Sequence, residues 1–184
     1  MLTVYRVRVA TTKFQYFETD EAEFLESLWL SIHGTEIGAD WIAPSVYIFK
    51  PKKREGHFVG FLGGRVFAIT QEVIDASPSL RSFFEQSGEL LPFTYNKREF
   101  YVFNCLNCIE ALDAKNAQMS ATGTTVDSYS FVPTRFQFTL FAIPQSNELL
   151  CVEGMSAPAD EFKGYVEQQK LTGLMFEKLW SEGE

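Results

Sequence analysis

Apolar and polar positions alternate with period two through much of the chain, which is the pattern of half-buried strands. Residues 2–10 and 14–18 read as two such strands, bent together around Thr11-Thr12-Lys13. The period then changes. Phe24, Leu25, Leu28, Trp29 and Ile32 fall on one face of a helix. Asp20 with Glu23 three residues on forms a capping pair at its start. Gly34 just beyond it suits a left-handed C-terminal cap. Residues 46–49 form a short strand. Residues 57–62 and 65–69 form two more, separated by Gly63-Gly64, a two-residue hairpin signal. Thr70 caps a short helix running to Ala76. Ser77-Pro78 starts another, with Leu80, Phe83 and Phe84 as its apolar face and Gly88 at its end.

The stretch 90–113 organises the rest. It predicts two strands joined at Asn96-Lys97 and then a turn into residues 109–113. In its second strand, residues 99–105, Phe100 and Val102 point one way and Tyr101, Phe103 and Cys105 the other. A strand apolar on both sides belongs in the middle of a sheet covered on both faces. Residues 114–134 are poor in large aliphatic side chains and rich in Ser, Thr, Ala and Gly, so they read as a long loop. Residues 135–143 and 148–152 are strands linked by a turn at 144–147. A last helix starts at Asp160 and carries Phe162, Tyr165 and Val166, and residues 171–176 close the chain as a short strand. The expected fold is α+β in one domain over residues 1–184. It has a mainly antiparallel sheet, a buried central strand at about 99–105 and three to four peripheral helices.

Composition narrows the function classes. Hydrophobic residues make up 46% of the chain and 18 residues are Phe, enough apolar side chain for a core without disulfides. There are 16 basic and 24 acidic residues, a net charge of −8. That balance argues against a nucleic-acid partner, which needs a cationic face. No apolar stretch is long enough to span a bilayer, no signal peptide opens the chain, and the three cysteines are an odd count. A reducing cytoplasm is the expected location.

The acids are unevenly placed. No Lys or Arg occurs between Lys13 and Lys50, while Glu18, Asp20, Glu21, Glu23, Glu26, Glu36 and Asp40 all fall there. Two readings stand side by side: a solvated helix face whose early acids suit the helix dipole, and a docking surface for a basic partner. Lys50-Pro51-Lys52-Lys53-Arg54 is a basic knot on an exposed turn.

Catalytic patterns are not seen. Cys105 and Cys108 have C-x-x-C spacing, but the first ends a strand and no further Cys or His ligand lies near in sequence, so no metal or cofactor is expected. His33 and His57 belong to no ligand motif, and there is no G-x-S-x-G elbow. Asp113 reads as the cap of a turn. A carboxylate pair for acid–base work stays open among so many acids. A homodimer is also compatible with three tryptophans, Trp29, Trp41 and Trp180, that crowd one core.

Four blocks, in order, resemble the immunity protein 11 family. Arg65-Val66-Phe67-Ala68-Ile69-Thr70 leading into helices is similar to that family's strand and helix entry, with Thr70 where Ser is usual. Residues 89–93 followed by Phe100-Tyr101-Val102-Phe103-Asn104 resemble its next two strands. Ile109-Glu110-Ala111-Leu112-Asp113 resembles its "v-D-a-L-D" segment, with Glu110 for the first Asp. Residues 138–143, 148–152 and 162–168, with Leu171-Thr172-Gly173-Leu174-Met175-Phe176, resemble its ending. The likeness covers residues 58–176. It implies a non-catalytic bacterial protein that binds a cognate polymorphic-toxin domain and masks its active site. On that reading the expected partner surface is Asp20, Glu21, Glu23, Glu26, Glu36 and Asp40, with residues 114–134 as a further contact. The alternative is a small-ligand-binding or enzymatic domain built on a carboxylate site, marked by a deep pocket holding two close acids.

Overall fold

The alternating segments assemble into two main sheets and a two-stranded ribbon. In chain order the elements are β1 (Thr3–Val9), β2 (Tyr16–Glu18), α1 (Ala22–Ser31), β3 (Tyr47–Phe49), β4 (Phe58–Phe61), β5 (Val66–Thr70), α2 (Gln71–Asp75) and α3 (Pro78–Ser87). They continue with β6 (Gly88–Tyr95), β7 (Arg98–Cys105), β8 (Gln118–Met119), β9 (Val126–Ser128), β10 (Leu140–Ile143), β11 (Ser146–Glu153), α4 (Phe162–Gln168) and β12 (Leu174–Ser181). The computed structural model describes every residue except Arg65, and every side chain except those of Arg65, Trp29, Leu30, Ser31 and Asn147. The expected parts of Arg65 in a strand, Trp29 in the helix stripe and Asn147 in a turn lie outside what is described.

One sheet has four strands in the order β10-β11-β1-β12, and the other has six in the order β3-β2-β4-β5-β7-β6. Pairing is antiparallel except between β2 and β4. The fold is α+β, as expected. No helix among the described residues is long and apolar enough to cross a membrane.

The period-two pattern explains the layering. Between the sheets, Val7 and Val9 of β1, Leu149 and Cys151 of β11, Phe67 and Ile69 of β5 and Phe103 of β7 pack with Phe84, Phe162 and Val166 from the helices. Phe103 sits 4.8 Å from Phe84 and 5.6 Å from Phe67, ring centre to ring centre. Each fully buried Phe here stabilises the fold by roughly 1.5–3 kcal/mol. The opposite face of the larger sheet buries Phe17, Phe61, Phe93, Phe100 and Val102 against Leu28 and Ile32 of the α1 region. The opposite face of the smaller sheet buries Val4, Phe141, Leu150 and Val152 against Ala111, Leu112, Phe131 and Phe136. Gly173, at φ +113°, lets the chain before β12 press on the Phe58 carbonyl, where a Cβ would collide.

Several expectations hold in detail. β7 is covered on both faces with the parity read from its sequence. Asn96 and Lys97, both at positive φ, close the β6–β7 hairpin between Tyr95 and Arg98. Thr70 Oγ1 accepts the Val73 N–H as the α2 cap.

Others are corrected. β7 is second from the sheet edge, not central, because β6 closes that side. β1 and β2 enter different sheets. α1 starts at Ala22 with Glu21 as its N-cap and no side-chain cap bond, so Asp20 and Glu23 form no capping pair. The Thr19 hydroxyl takes the Glu21 N–H instead. Phe61 pairs with Val66, so the Gly63-Gly64 turn is longer than two residues. Residues 114–134 hold the β8–β9 ribbon, and Pro133–Arg135 is a 3₁₀ turn, so the strand expected from 135 begins only at Leu140. Asp160 lies in a 3₁₀ turn before α4, and the last strand runs on to Ser181.

Candidate functional site

The helix stripe that buries Leu28 and Ile32 leaves Phe24 half-exposed beside a second wall, the 3₁₀ turn Gly38–Asp40. Between them runs a groove of about 550 Å³. Phe24, Leu28, Ile37, Trp41 and Ile42 form its apolar surface, and Glu21, Glu23 and Asp40 stand on its rim. Ile42 is 80% exposed, a large aliphatic side chain with nothing over it. Phe24 and Trp41 meet edge to face at 5.6 Å.

The second wall is held by non-local bonds. Glu89 of β6 accepts the Ile37 N–H at 2.7 Å and the Gly38 N–H at 2.9 Å. Asn104 of β7 is 0% exposed. Its Oδ1 accepts the His33 N–H at 2.7 Å, and its Nδ2 donates to the Thr35 carbonyl at 2.8 Å and to Glu89 Oε1 at 2.7 Å. His33 Nδ1 in turn accepts the Cys105 N–H at 3.1 Å. Burial pushes the His33 imidazole down to a pKa of about 4, so it is neutral at pH 7. The Trp41 indole N–H donates to the Pro92 carbonyl at 2.7 Å.

All six acids expected at a partner surface are exposed. The groove gathers Glu21, Glu23 and Asp40; Asp20, Glu26 and Glu36 lie outside its lining. Glu21 also has an internal task, since its Oε1 accepts the Ser45 N–H at 2.7 Å. Asp20 accepts from the Tyr47 hydroxyl at 3.4 Å. No basic side chain forms an ion pair with any of the six among the described residues. This is an uncompensated negative rim around an apolar floor, able to attract a cationic surface at long range and then exclude water from an inserted apolar side chain.

Sequence reading missed Glu89 and Asn104 as wall-builders. The available signal was a polar amide, Asn104, set between Phe103 and Cys105 in an otherwise apolar strand end. Elsewhere, Asp113 caps its turn as expected, and its bonds from the Asn116 side chain and Lys115 N–H hold its carboxyl below the usual range. Cys105 is a buried free thiol pushed up to about 12 by burial, and Cys108 is free and exposed. Among the described residues no three His, Cys, Asp or Glu side chains converge as a metal site. Trp41 and Trp180 are each half-buried, in separate clusters. Comparison with known protein families, curated proteins and solved structures finds no match to this chain.

Proposed function

We propose that the protein is a bacterial immunity protein that binds a cognate polymorphic-toxin domain in the cytoplasm and masks its active site, without catalysis of its own. The observation that carries this reading is the acid-rimmed apolar groove, in a segment that holds no Lys or Arg from residue 14 to residue 49. Toxin domains that act on nucleic acids or phosphates carry cationic sites, and unpaired carboxylates complement such a site. The resemblance of residues 58–176 to immunity protein 11 sequences supports the same class, and that region supplies Glu89 and Asn104, which brace the groove. The apolar floor provides the anchor pocket, and the acids set the approach.

The test is to identify the gene immediately upstream and, where it ends in a toxin-like domain, to co-express the two. The protein rescues a host poisoned by that domain and forms a complex with it whose association slows as salt rises. Persistent killing with both proteins soluble overturns the proposal.

A further inference from the structure

A second cavity lies on the smaller sheet. On the outer face of the smaller sheet, apolar Val4, Leu150 and Val152 give way along the strands to Arg6, Arg8 and Glu148. The β8–β9 ribbon and the β10–β11 turn enclose these residues in a cleft of about 800 Å³. That is within the roughly 300–1,000 Å³ typical of small-molecule sites.

The two guanidiniums are not equivalent. Arg6 is fully engaged: Nε donates to Glu148 at 2.8 Å, Nη1 to Glu177 at 3.0 Å and Nη2 to the Tyr129 hydroxyl at 3.1 Å. Burial opposes its charge, but the bonds to Tyr129, Glu148 and Glu177 outweigh that, and its pKa is raised. Tyr129 also donates to Glu148 at 2.9 Å. Among the described residues the Arg8 side chain makes one hydrogen bond, from Nη2 to Glu148 Oε1 at 2.7 Å. Its Nε and Nη1 meet no acceptor among the described residues, and its side chain is 35% exposed. Glu148 thus clamps Arg8 by one corner and leaves the rest of its fork to the cleft. Within the lining there are two cations and one anion, in a chain of net charge −8. Partly burying such a network carries a desolvation penalty that a hydrophobic packing would avoid.

We propose that this cleft is a second binding site, one that takes a small monocarboxylate with an aliphatic body. The carboxylate bonds the free edge of Arg8, whose planar fork matches it. Thr125 and Ser146 line the same space, and Met119 and Val126 supply an apolar wall for the body of the ligand. A phosphate dianion is disfavoured, because Glu148 already shares the same guanidinium and would repel the second charge. This site is independent of the acidic groove and of what docks there.

The experiment titrates the full chain with sodium N-acetyl-leucine, followed by amide NMR shifts, with inorganic phosphate and sodium acetate at matched ionic strength as controls. Saturable shifts of residues 123–126 and Arg8 are expected at millimolar N-acetyl-leucine, with acetate weaker and phosphate inert. Arg8→Gln weakens binding about tenfold or more, and Arg8→Lys, which keeps the charge without the fork, falls between. A single cooperative thermal transition, at whatever midpoint, and wild-type amide shifts away from the cleft establish that both variants are folded. No saturable shift, equal shifts with phosphate, or undiminished binding by folded Arg8→Gln would overturn the proposal.

Discussion

On the α1 face, Glu23, Glu26, Glu36 and Asp40 stand exposed, with no ion pair to a described residue. On the β1–β11 face, Arg6 and Arg8 share Glu148 beneath a ribbon. The two regions divide the uses of charge. Exposed, unpaired carboxylates contribute a field at long range and little to folding. Half-buried, paired groups contribute to folding, and their removal strands a partner. Charge reversal is therefore tolerated by the fold on the first face and not on the second.

The firmest way to break this contrast is to remove what braces the acidic face from below. Asn104→Ala strands the His33 N–H and the Thr35 carbonyl and removes a partner of Glu89; it lowers unfolding free energy by about 4 kcal/mol, read by urea denaturation. His33 gives a pH-dependent version of the same experiment. Its folded pKa of about 4 lies below the ordinary 6.5. From pH 6.5 down to 4 the unfolded chain takes up a proton that the folded chain refuses, so stability falls across that window by about 3 kcal/mol. His33→Asn, which tolerates the positive φ and keeps an acceptor for the Cys105 N–H, flattens that part of the stability–pH curve.

Glu148→Ala tests the opposite face. It leaves Arg6 with Glu177 and Tyr129 but Arg8 with no side-chain partner among the described residues, and lowers stability by about 2 kcal/mol, less than for a fully buried pair because the network is partly solvated. The smallest effect on folding comes from Glu23→Lys with Asp40→Lys. The thermal midpoint is unchanged, while association with the partner proposed above slows about tenfold and loses salt dependence. A large loss of stability there would erase the contrast between the faces.

Local patterns carried most of the fold. The two-sided apolar run of β7, the Asn96-Lys97 turn and the Thr70 cap each depend on neighbours within a few residues, and each is as read. What failed depends on distance along the chain. The expected capping pair at Asp20 and Glu23 loses to the Thr19 hydroxyl, which bonds the Glu21 N–H, and to Tyr47, which engages Asp20 from β3. The ribbon at 118–128 forms where Val126 and Phe131 are buried against the smaller sheet, a surface absent from their own sequence neighbourhood. The acidic rim was legible as a run of one sign. The floor beside it was not, because Ile37 and Gly38 are placed by Glu89, about fifty residues further on. Arg6 and Glu148 are farther apart still, 142 residues. Glu161 is 1% exposed and gathers the N–H groups of Gly154, Met155 and Ser156, a role no periodicity announces.

Asn104 and Glu89 grip main-chain atoms of the loop they hold, the amides of His33, Ile37 and Gly38 and the carbonyl of Thr35, while the His33 ring and the Trp41 indole tie it through their side chains to the Cys105 N–H and the Pro92 carbonyl. Exposed side chains between those two ties, such as Glu36 and Asp40, can therefore be exchanged without loosening these bonds. Substitution at 36 and 40 changes the charge that surface presents while the frame beneath stays put.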